Sequence, residues 1–390
     1  MRLSSLIKRI SGGAADAWDL HYLAKQAKER GEDVIVLSVG DPDFATPDGV
    51  IDKATQAMRE GDTHYTSIQG HSELREAIAE RHRRKSGQAI SADNVITTSG
   101  AQNALFACAQ CLLDAGDEAI VLQPMYVTYE ATIQAPGATL VPLVLDGKSG
   151  FRLDREALQA AISERTRAIF YASPSNPTGI ALNPQELEMI AEVALQHDLW
   201  VVADEVYSDF VYDETFHHIA SLPGMADRVI TIGSLSKSHA MSGWRVGWAI
   251  APDEMIANMD KLALCMLYGL PGFIQQAGAH ALLHCEDDLQ RMRAAYRQRR
   301  DYLYEAFTAI PGLEPLLPQA GMFMMVKVTG SGYSAAEFTR ALYKATGVSL
   351  LDATAFGASA AGYVRVSCTV SDDELREACS RIGSFMENLR

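Results

Sequence analysis

The stretch Ser234-Leu-Ser-Lys237-Ser-His-Ala-Met-Ser-Gly-Trp-Arg245-Val-Gly-Trp248 is the most informative part of this sequence. It follows Val229 to Gly233, an apolar run typical of a strand, and holds one lysine among small hydroxyl residues. A buried lysine beside a second cation, here Arg245, can stay neutral and condense with an aldehyde. Ser234, Ser236 and the Arg245 guanidinium offer donors to a phosphate. The stretch predicts a pocket for a phosphorylated aldehyde, although taken alone it also fits a turn with a solvated lysine.

A carboxylate and a phenol follow the next apolar run upstream, Trp200-Val-Val-Ala-Asp204-Glu-Val-Tyr207. The run has the length of a strand, and strand ends in open parallel sheets face the ligand crevice. A carboxylate there can keep a pyridine nitrogen protonated, and a phenol can bond a ring hydroxyl, which is how proteins tune pyridoxal phosphate. Another strand candidate ends in Ser173-Pro-Ser-Asn176-Pro-Thr-Gly179, a turn that can present Asn176 to a ligand.

Three motifs in this order and spacing carry a family resemblance: Asn176-Pro-Thr-Gly, Asp204-Glu-Val-Tyr, and Ser-x-Ser-Lys237 with Arg245. Together they resemble the signature of the fold-type I pyridoxal-phosphate aminotransferases, the aspartate aminotransferase superfamily. The resemblance implies an α/β fold, with a large domain around a mostly parallel seven-stranded sheet flanked by helices, and a small α+β domain. It also implies that pyridoxal 5'-phosphate is joined to Lys237 as a Schiff base.

The resemblance assigns further residues to the cofactor. Gly100, Ala101 and Gln102 join a strand pattern to an apolar helix pattern, where free amides and the helix dipole attract the phosphate. Tyr126 matches the aromatic residue that stacks on the cofactor ring, and a core tyrosine is its simpler interpretation. Tyr65 matches a residue that reaches the cofactor phosphate of a partner subunit, which implies a homodimer with shared active sites.

Three residues are expected at the carboxylate of the substrate. Arg365 matches the arginine that grips this group in a two-pronged pair, with the backbone amide of Gly40 and the side chain of Asn176 beside it. Arg365 lies in the apolar strand pattern Tyr363-Val-Arg-Val. Because charged residues are rarely buried unless they are paired, its partner is expected to be the substrate.

The side chain of the amino donor and the identity of the acceptor are predicted from likeness within the family. Likeness within the family, in Ala17-Trp18-Asp19-Leu-His-Tyr22 among other stretches, implies L-arginine as the amino donor and pyruvate as the acceptor. A guanidinium group needs an acid or an aromatic residue near the mouth of the pocket. Trp18 and Asp19 are the candidates, and packing and helix capping are their alternative roles.

The implied reaction is a ping-pong exchange in which the Lys237 amine moves a proton from the Cα of the amino acid. Aromatic, acidic or neutral amino acids with 2-oxoglutarate remain alternative substrates. A β-elimination or decarboxylation on the same cofactor is also open, because a fold does not determine a reaction. A non-catalytic sensor is a further alternative, but such regulators carry a DNA-binding extension that this sequence lacks.

Composition agrees with an enzyme of this kind. The 390 residues are 48% hydrophobic, enough for a large core, and the net charge of −15 argues against nucleic-acid binding. The six cysteines lack disulfide-framework spacing, and His217-His218 has no third ligand nearby, so neither disulfides nor a metal are expected. Without a signal segment or a long apolar stretch, the sequence predicts a cytoplasmic protein that does not enter membranes.

Two domains are predicted. Strand-like runs alternate with helical patterns from about Val95 to Ile250, which indicates a parallel sheet covered on both faces. The large, cofactor-binding domain is expected at 47–285. A long charged helix from Asp287 should then lead into a small domain made of 1–46 and 286–390.

Overall fold

The computed structural model describes residues 4–11 and 18–389. Residues 1–3, 12–17 and 390, which the predicted small domain includes, lie outside the described residues. The strands in chain order are β1 (Ile35–Val36), β2 (Val95–Ser99), β3 (Glu118–Gln123), β4 (Thr139–Val144), β5 (Thr166–Ala172), β6 (Trp200–Asp204), β7 (Val229–Ser234), β8 (Val246–Ile250), β9 (Glu314–Leu316), β10 (Phe323–Lys327), β11 (Val348–Ser349), β12 (Leu351–Asp352) and β13 (Tyr363–Ser367).

The α-helices in chain order are α1 (Leu6–Ile10), α2 (Asp19–Glu29), α3 (Asp48–Arg59), α4 (Ser72–Ser86), α5 (Ala101–Leu112), α6 (Tyr129–Gln134), α7 (Arg155–Ala160), α8 (Pro184–Gln196), α9 (Leu235–Ser238), α10 (Asp253–Met266), α11 (Gly272–His284), α12 (Glu286–Thr308), α13 (Ala335–Thr346) and α14 (Asp372–Asn388).

A seven-stranded sheet occupies the middle of the chain, in the order β2-β8-β7-β6-β5-β3-β4. Its strands run parallel except β8, which is antiparallel to both of its neighbours. Strands β3 and β7 are buried along their whole length, which explains why they read as nearly continuous apolar runs. This mixed sheet, covered by helices, confirms the predicted α/β fold.

Helix boundaries follow local chemistry that is visible in the sequence. Helix α8 begins with a capping box, in which the Asn183 side chain accepts from the Glu186 amide while the Glu186 carboxylate accepts from the Asn183 amide. Ser371 and Glu374 form the same reciprocal pair at the start of α14. Helix α12 begins at Glu286, one residue before the predicted start. Side chains that bond back to the backbone therefore mark the starts of α8 and α14.

A second group of elements forms an α+β layer. Strands β12, β13, β10 and β9 make an antiparallel sheet, and α12, α13 and α14 pack around its apolar core. Strand β1 near the start of the chain pairs in parallel with β11, with Ile35 opposite Val348. The N-terminal segment is thus bound to the C-terminal part of the chain. The domain boundaries at residues 47 and 285 remain a prediction that fits this pairing.

No helix within the described ranges is both long and apolar enough to cross a membrane.

Candidate active site

One cavity of about 230 Å³ lies where the carboxyl ends of the parallel strands meet the second layer. This edge of an open parallel sheet is where ligands bind in such folds. Most residues predicted for cofactor and substrate line this cavity. They are Trp18, Gly40, Ala101, Gln102, Tyr126, Asn176, Asp204, Tyr207, Ser234, Ser236, Lys237, Arg245 and Arg365.

Lys237 lies in the short helix α9, directly after strand β7. Its Nζ donates a hydrogen bond to the carbonyl oxygen of Gly40 at 2.8 Å. Burial, helped by the positive charges of Arg365 and Arg245, lowers the pKa of Lys237 to about 8, although Asp41 opposes the shift. A substantial fraction of the amine is therefore neutral near physiological pH, as condensation with an aldehyde requires.

The floor of the cavity carries a buried acid. Asp204 ends β6, and its Oδ2 accepts a hydrogen bond from the Tyr129 hydroxyl at 2.7 Å. Burial raises the pKa of Asp204 to about 6, while the Tyr129 hydroxyl and the Val206 amide oppose the shift. Burial also raises the pKa of Tyr207, so its phenol stays protonated and can donate. This acid can therefore share a proton with a basic ring nitrogen placed beside it.

The other end of the cavity collects donors suited to an anion. Gly100 precedes α5 with φ +77°, and a Cβ built on it would lie 2.3 Å from Nη2 of Arg245. Arg245 itself has φ +56° and donates to the Ser242 carbonyl at 2.7 Å. The Ser234 hydroxyl accepts from the Ser236 amide at 3.0 Å. A guanidinium, hydroxyl groups and the start of a twelve-residue helix therefore line the same cavity.

Arg365 is fully buried in β13, between Met325 of β10 and Leu351 of β12. Its Nη1 donates to Oδ1 of Asn176 at 2.8 Å and its Nη2 to the Ser38 carbonyl at 2.8 Å. Burial lowers its pKa to about 10, so it remains charged at neutral pH. No carboxylate bonds it within the described chain, and its Nε has no hydrogen-bond partner there. A buried cation held only by neutral groups is ready to bind an anion.

Three predicted residues are not among those that line this cavity: Gly100, which directly precedes α5, Asp19 and Tyr65. Asp19 is exposed in the first turn of α2, where its carboxylate lies near the free amides of the helix start. The structure therefore places Trp18 at the cavity and Asp19 outside it. Tyr65 is 88% exposed and contacts the ring of Tyr268, which is also exposed, at 4.8 Å between centroids. Its predicted role at a partner's phosphate stays a prediction.

Several contacts could not be inferred from the motifs. Tyr129 belongs to the same stretch as Tyr126, but only the three-dimensional structure shows that its hydroxyl donates to Asp204. The ring of Phe323 lies 4.4 Å from the Arg365 guanidinium, and a Cβ on Gly40 would overlap that ring. Gly40 was expected to offer its amide to the substrate, and the structure shows its carbonyl accepting from Lys237.

His218, a residue of the His217-His218 pair, is bonded to an acid near the sheet. His218 is buried, with its Nδ1 2.7 Å from Oε2 of Glu205. In residues 4–11 and 18–389, no cluster of three or more His, Cys, Asp or Glu side chains is placed to hold a metal ion.

Comparison of the sequence with known protein families identifies the class of protein to which this fold and cavity belong. The family model of class I and II aminotransferases matches residues 32–382, and the chain belongs to this family. It is an aminotransferase, and the cofactor of the family is pyridoxal phosphate.

Particular relatives cover nearly the whole chain. An arginine–pyruvate transaminase from Pseudomonas aeruginosa is 50% identical over 382 residues, which are 98% of this chain and 97% of the relative. An aspartate aminotransferase from Musicola paradisiaca is 36% identical over 364 residues, which are 93% and 90% of the two chains. The crystal structure of the aspartate aminotransferase from Rhizobium meliloti matches with a TM-score of 0.94 at 32% identity, over 99% of each chain.

The residues of the cavity fit pyridoxal phosphate. A lysine with a lowered pKa lines the cavity together with a buried acid, a guanidinium and hydroxyl groups. The absence of a side chain at Gly100 leaves space for the Arg245 guanidinium beside the start of α5. An aldehyde, a pyridine nitrogen and a phosphate would each meet a complementary group.

Proposed function

We propose that this aminotransferase transfers the α-amino group of L-arginine to pyruvate. The observation that supports this choice is the 50% identity with an arginine–pyruvate transaminase across almost the full length of both chains. Two aspartate aminotransferases that match are 36% and 34% identical to this chain. At that lower identity they support transamination as the reaction, but they do not favour aspartate as the donor.

The cavity contains a group suited to a guanidinium. Trp18 lines its wall, and the face of an indole attracts a guanidinium by its quadrupole. The acidic side chain in the lining is Asp204, which is already bonded to Tyr129. An arginine side chain would therefore rest on Trp18, and any acid that pairs with it would come from beyond these lining residues.

When bound, pyridoxal phosphate supplies an aldehyde for condensation with amines and a ring that accepts the electron pair released at Cα. In the proposed assignment Lys237 Nζ takes the proton from the Cα of the amino acid. Asp204 keeps the ring nitrogen protonated, and Tyr207 donates to the ring hydroxyl. Arg365 holds the α-carboxylate and so directs Cα toward Lys237, while Arg245, Ser234, Ser236 and the start of α5 hold the phosphate.

We also propose a homodimer that works in the cytoplasm. Tyr65 and Tyr268 form an exposed aromatic pair, and Leu264 and Met266, which shortly precede Tyr268 at the end of α10, are exposed as well. Several large apolar side chains exposed in one region are typical of a surface that a partner covers. All six cysteines carry free thiols, which fits a reducing compartment.

The test of the donor is a spectral titration. The cofactor-loaded enzyme is mixed with each proteinogenic L-amino acid, and the loss of the absorbance of the Lys237-bound cofactor is recorded before pyruvate or 2-oxoglutarate is added. We expect arginine to act at the lowest concentration and pyruvate to restore the spectrum. Stronger reaction with aspartate or an aromatic amino acid, or release of ammonia from a cysteine conjugate, would contradict the proposal. Lys237→Ala serves as the inactive control.

A further inference from the structure

A short segment connects the two cations of the cavity. The carbonyl of Ser38 accepts from Nη2 of Arg365, and the carbonyl of Gly40, two residues later, accepts from Nζ of Lys237, both at 2.8 Å. Between them the Val39 carbonyl accepts from the Thr369 hydroxyl at 3.1 Å. Any shift of residues 38–40 would therefore move the groups that align both Arg365 and Lys237.

This segment is held from outside the cavity by the Ser38 side chain. The Oγ of Ser38 lies 2.9 Å from Nδ1 of His21 on α2 and accepts from the Ser349 hydroxyl at 3.0 Å. Ser38 and Ser349 are fully buried, and His21 is 8% exposed. Nδ1 of His21 accepts the Ser38 proton in the ring tautomer protonated at Nε2 and donates to the same oxygen in the other tautomer, so the hydrogen bond is made in either case.

His21 stays neutral in this position. Burial, and then the positive charges of Lys25 and Arg365, lower its pKa below the ordinary histidine value. A neutral ring can accept the Ser38 proton at Nδ1. The contact between α2 and the segment is therefore a hydrogen bond between neutral, desolvated groups, which is costly to leave unmade.

We propose that His21 is a positioning residue for the substrate carboxylate: its ring fixes the Ser38 hydroxyl, and thereby the Ser38 carbonyl that aligns Arg365. This inference rests on the carboxylate-binding role proposed for Arg365. The α-carboxylate is common to the amino donor and the 2-oxo acid, so His21 would support binding in both half-reactions.

A second route from His21 to the cavity must be separated from this one. The His21 ring packs edge-on against Trp18, with 5.7 Å between centroids. If His21 acted through Trp18, its loss would weaken arginine more than a substrate without a long side chain. If it acts through Ser38 and Arg365, pyruvate and the amino donor lose affinity alike.

The experiment compares three variants of α2. His21→Leu removes the hydrogen bond, and we expect KM for both the amino donor and pyruvate to rise about 3- to 10-fold, the effect of one lost buried hydrogen bond. The affinity for pyridoxal phosphate should stay within about twofold of wild type, and kcat should change less than KM, because Ser38 bonds Arg365 directly and is linked to Lys237 only through Gly40. His21→Asn keeps a polar atom near the place of Nδ1 and should recover most of the affinity. Gln26→Leu, an exposed change on the same helix, is the matched control.

A double-mutant cycle with Ser38→Ala completes the test. If the two residues act as one unit, adding Ser38→Ala to His21→Leu raises KM no further. Equal losses of stability, cofactor binding and both KM values in His21→Leu and His21→Asn would mean a purely structural role and would overturn the inference. A rise for arginine alone would assign the effect to Trp18 and overturn it as well. If Arg365→Lys leaves KM unchanged, the proposed role of Arg365 fails instead.

Discussion

At the scale of single residues, burial determines the chemistry of the cavity. Lys237, Asp204 and Arg365 are all desolvated, and burial is the largest cause of the shift in each pKa. Each shift favours the less charged form, which lowers the pKa of the two bases and raises that of the acid. Burial therefore leaves more of the Lys237 amine neutral and nucleophilic, and it lets Asp204 keep its proton at a higher pH than an exposed aspartate would.

The lowered pKa of Lys237 predicts how the cofactor-free protein recombines with pyridoxal phosphate. Below a pKa of about 8 the amine is mostly protonated, so the recombination rate should rise with pH between 6 and 8, by up to about tenfold per unit, and level off above. Stopped-flow absorbance of the forming enzyme measures it. Lys237→Ala should form no covalent complex and show no turnover. A profile that still climbs steeply from pH 9 to 10.5 would mean an ordinary, exposed lysine.

Arg365→Lys separates substrate binding from cofactor binding. A lysine offers a point charge where the guanidinium offers a fork, so we expect KM for the amino donor to rise about 10- to 100-fold, while the affinity for pyridoxal phosphate is unchanged. Steady-state kinetics and a cofactor titration measure the two effects. Equal loss of both affinities would argue against a carboxylate role.

At the scale of elements, the turn from β2 into α5 shows how backbone geometry shapes the anion site. Gly100 combines φ +77° with ψ 168°, a conformation that L residues with a Cβ rarely adopt. The same missing side chain lets Arg245 approach from the start of β8. A residue with a side chain at position 100 would therefore both strain the turn and displace the Arg245 guanidinium.

Gly100→Ala should weaken pyridoxal-phosphate binding at least about tenfold, because the methyl group collides with Arg245 and strains the turn. Equilibrium dialysis of the cofactor measures it. Gly87→Ala is the matched control, since Gly87 also has a positive φ but no atom within 4 Å of an added Cβ. Equal cofactor affinity in the two variants would show that Arg245 is not constrained by Gly100.

The sequence predicted the elements better than the contacts between them. Capping at Asn183 and Ser371 depends on residues three apart, so the helix starts could be recognised from local chemistry. The bond from Tyr129 to Asp204 joins residues 75 positions apart, and it depends on how β6 and α6 pack. Adjacent residues can also differ: Trp18, just before α2, lines the cavity, whereas Asp19, the first residue of α2, is exposed to solvent. Most residues that the motifs predicted for the cofactor line one cavity, whereas the position of Asp19 outside it could be recognised only from tertiary geometry.

At the scale of the whole molecule, the proposed dimer predicts complementation between subunits. Suppose that each site takes Tyr65 from its partner, so that Tyr65→Ala and Lys237→Ala subunits are each inactive alone. A mixed dimer then has one intact site, and an equal mixture should regain about one quarter of wild-type activity. Activity after subunit exchange, with sedimentation as a check of assembly, measures it. No recovery from a mixture shown to contain mixed dimers would place Tyr65 outside the partner's site.

The pairing of β1 with β11 bears on how the enzyme is made by the ribosome. Ile35 lies opposite Val348, so the early segment must wait until β11 has been translated before it finds its neighbour. The central sheet, in contrast, is complete once β8 has emerged. The nascent protein should therefore acquire the predicted phosphate pocket first, and the Arg365 site only after β11 and β13 have followed.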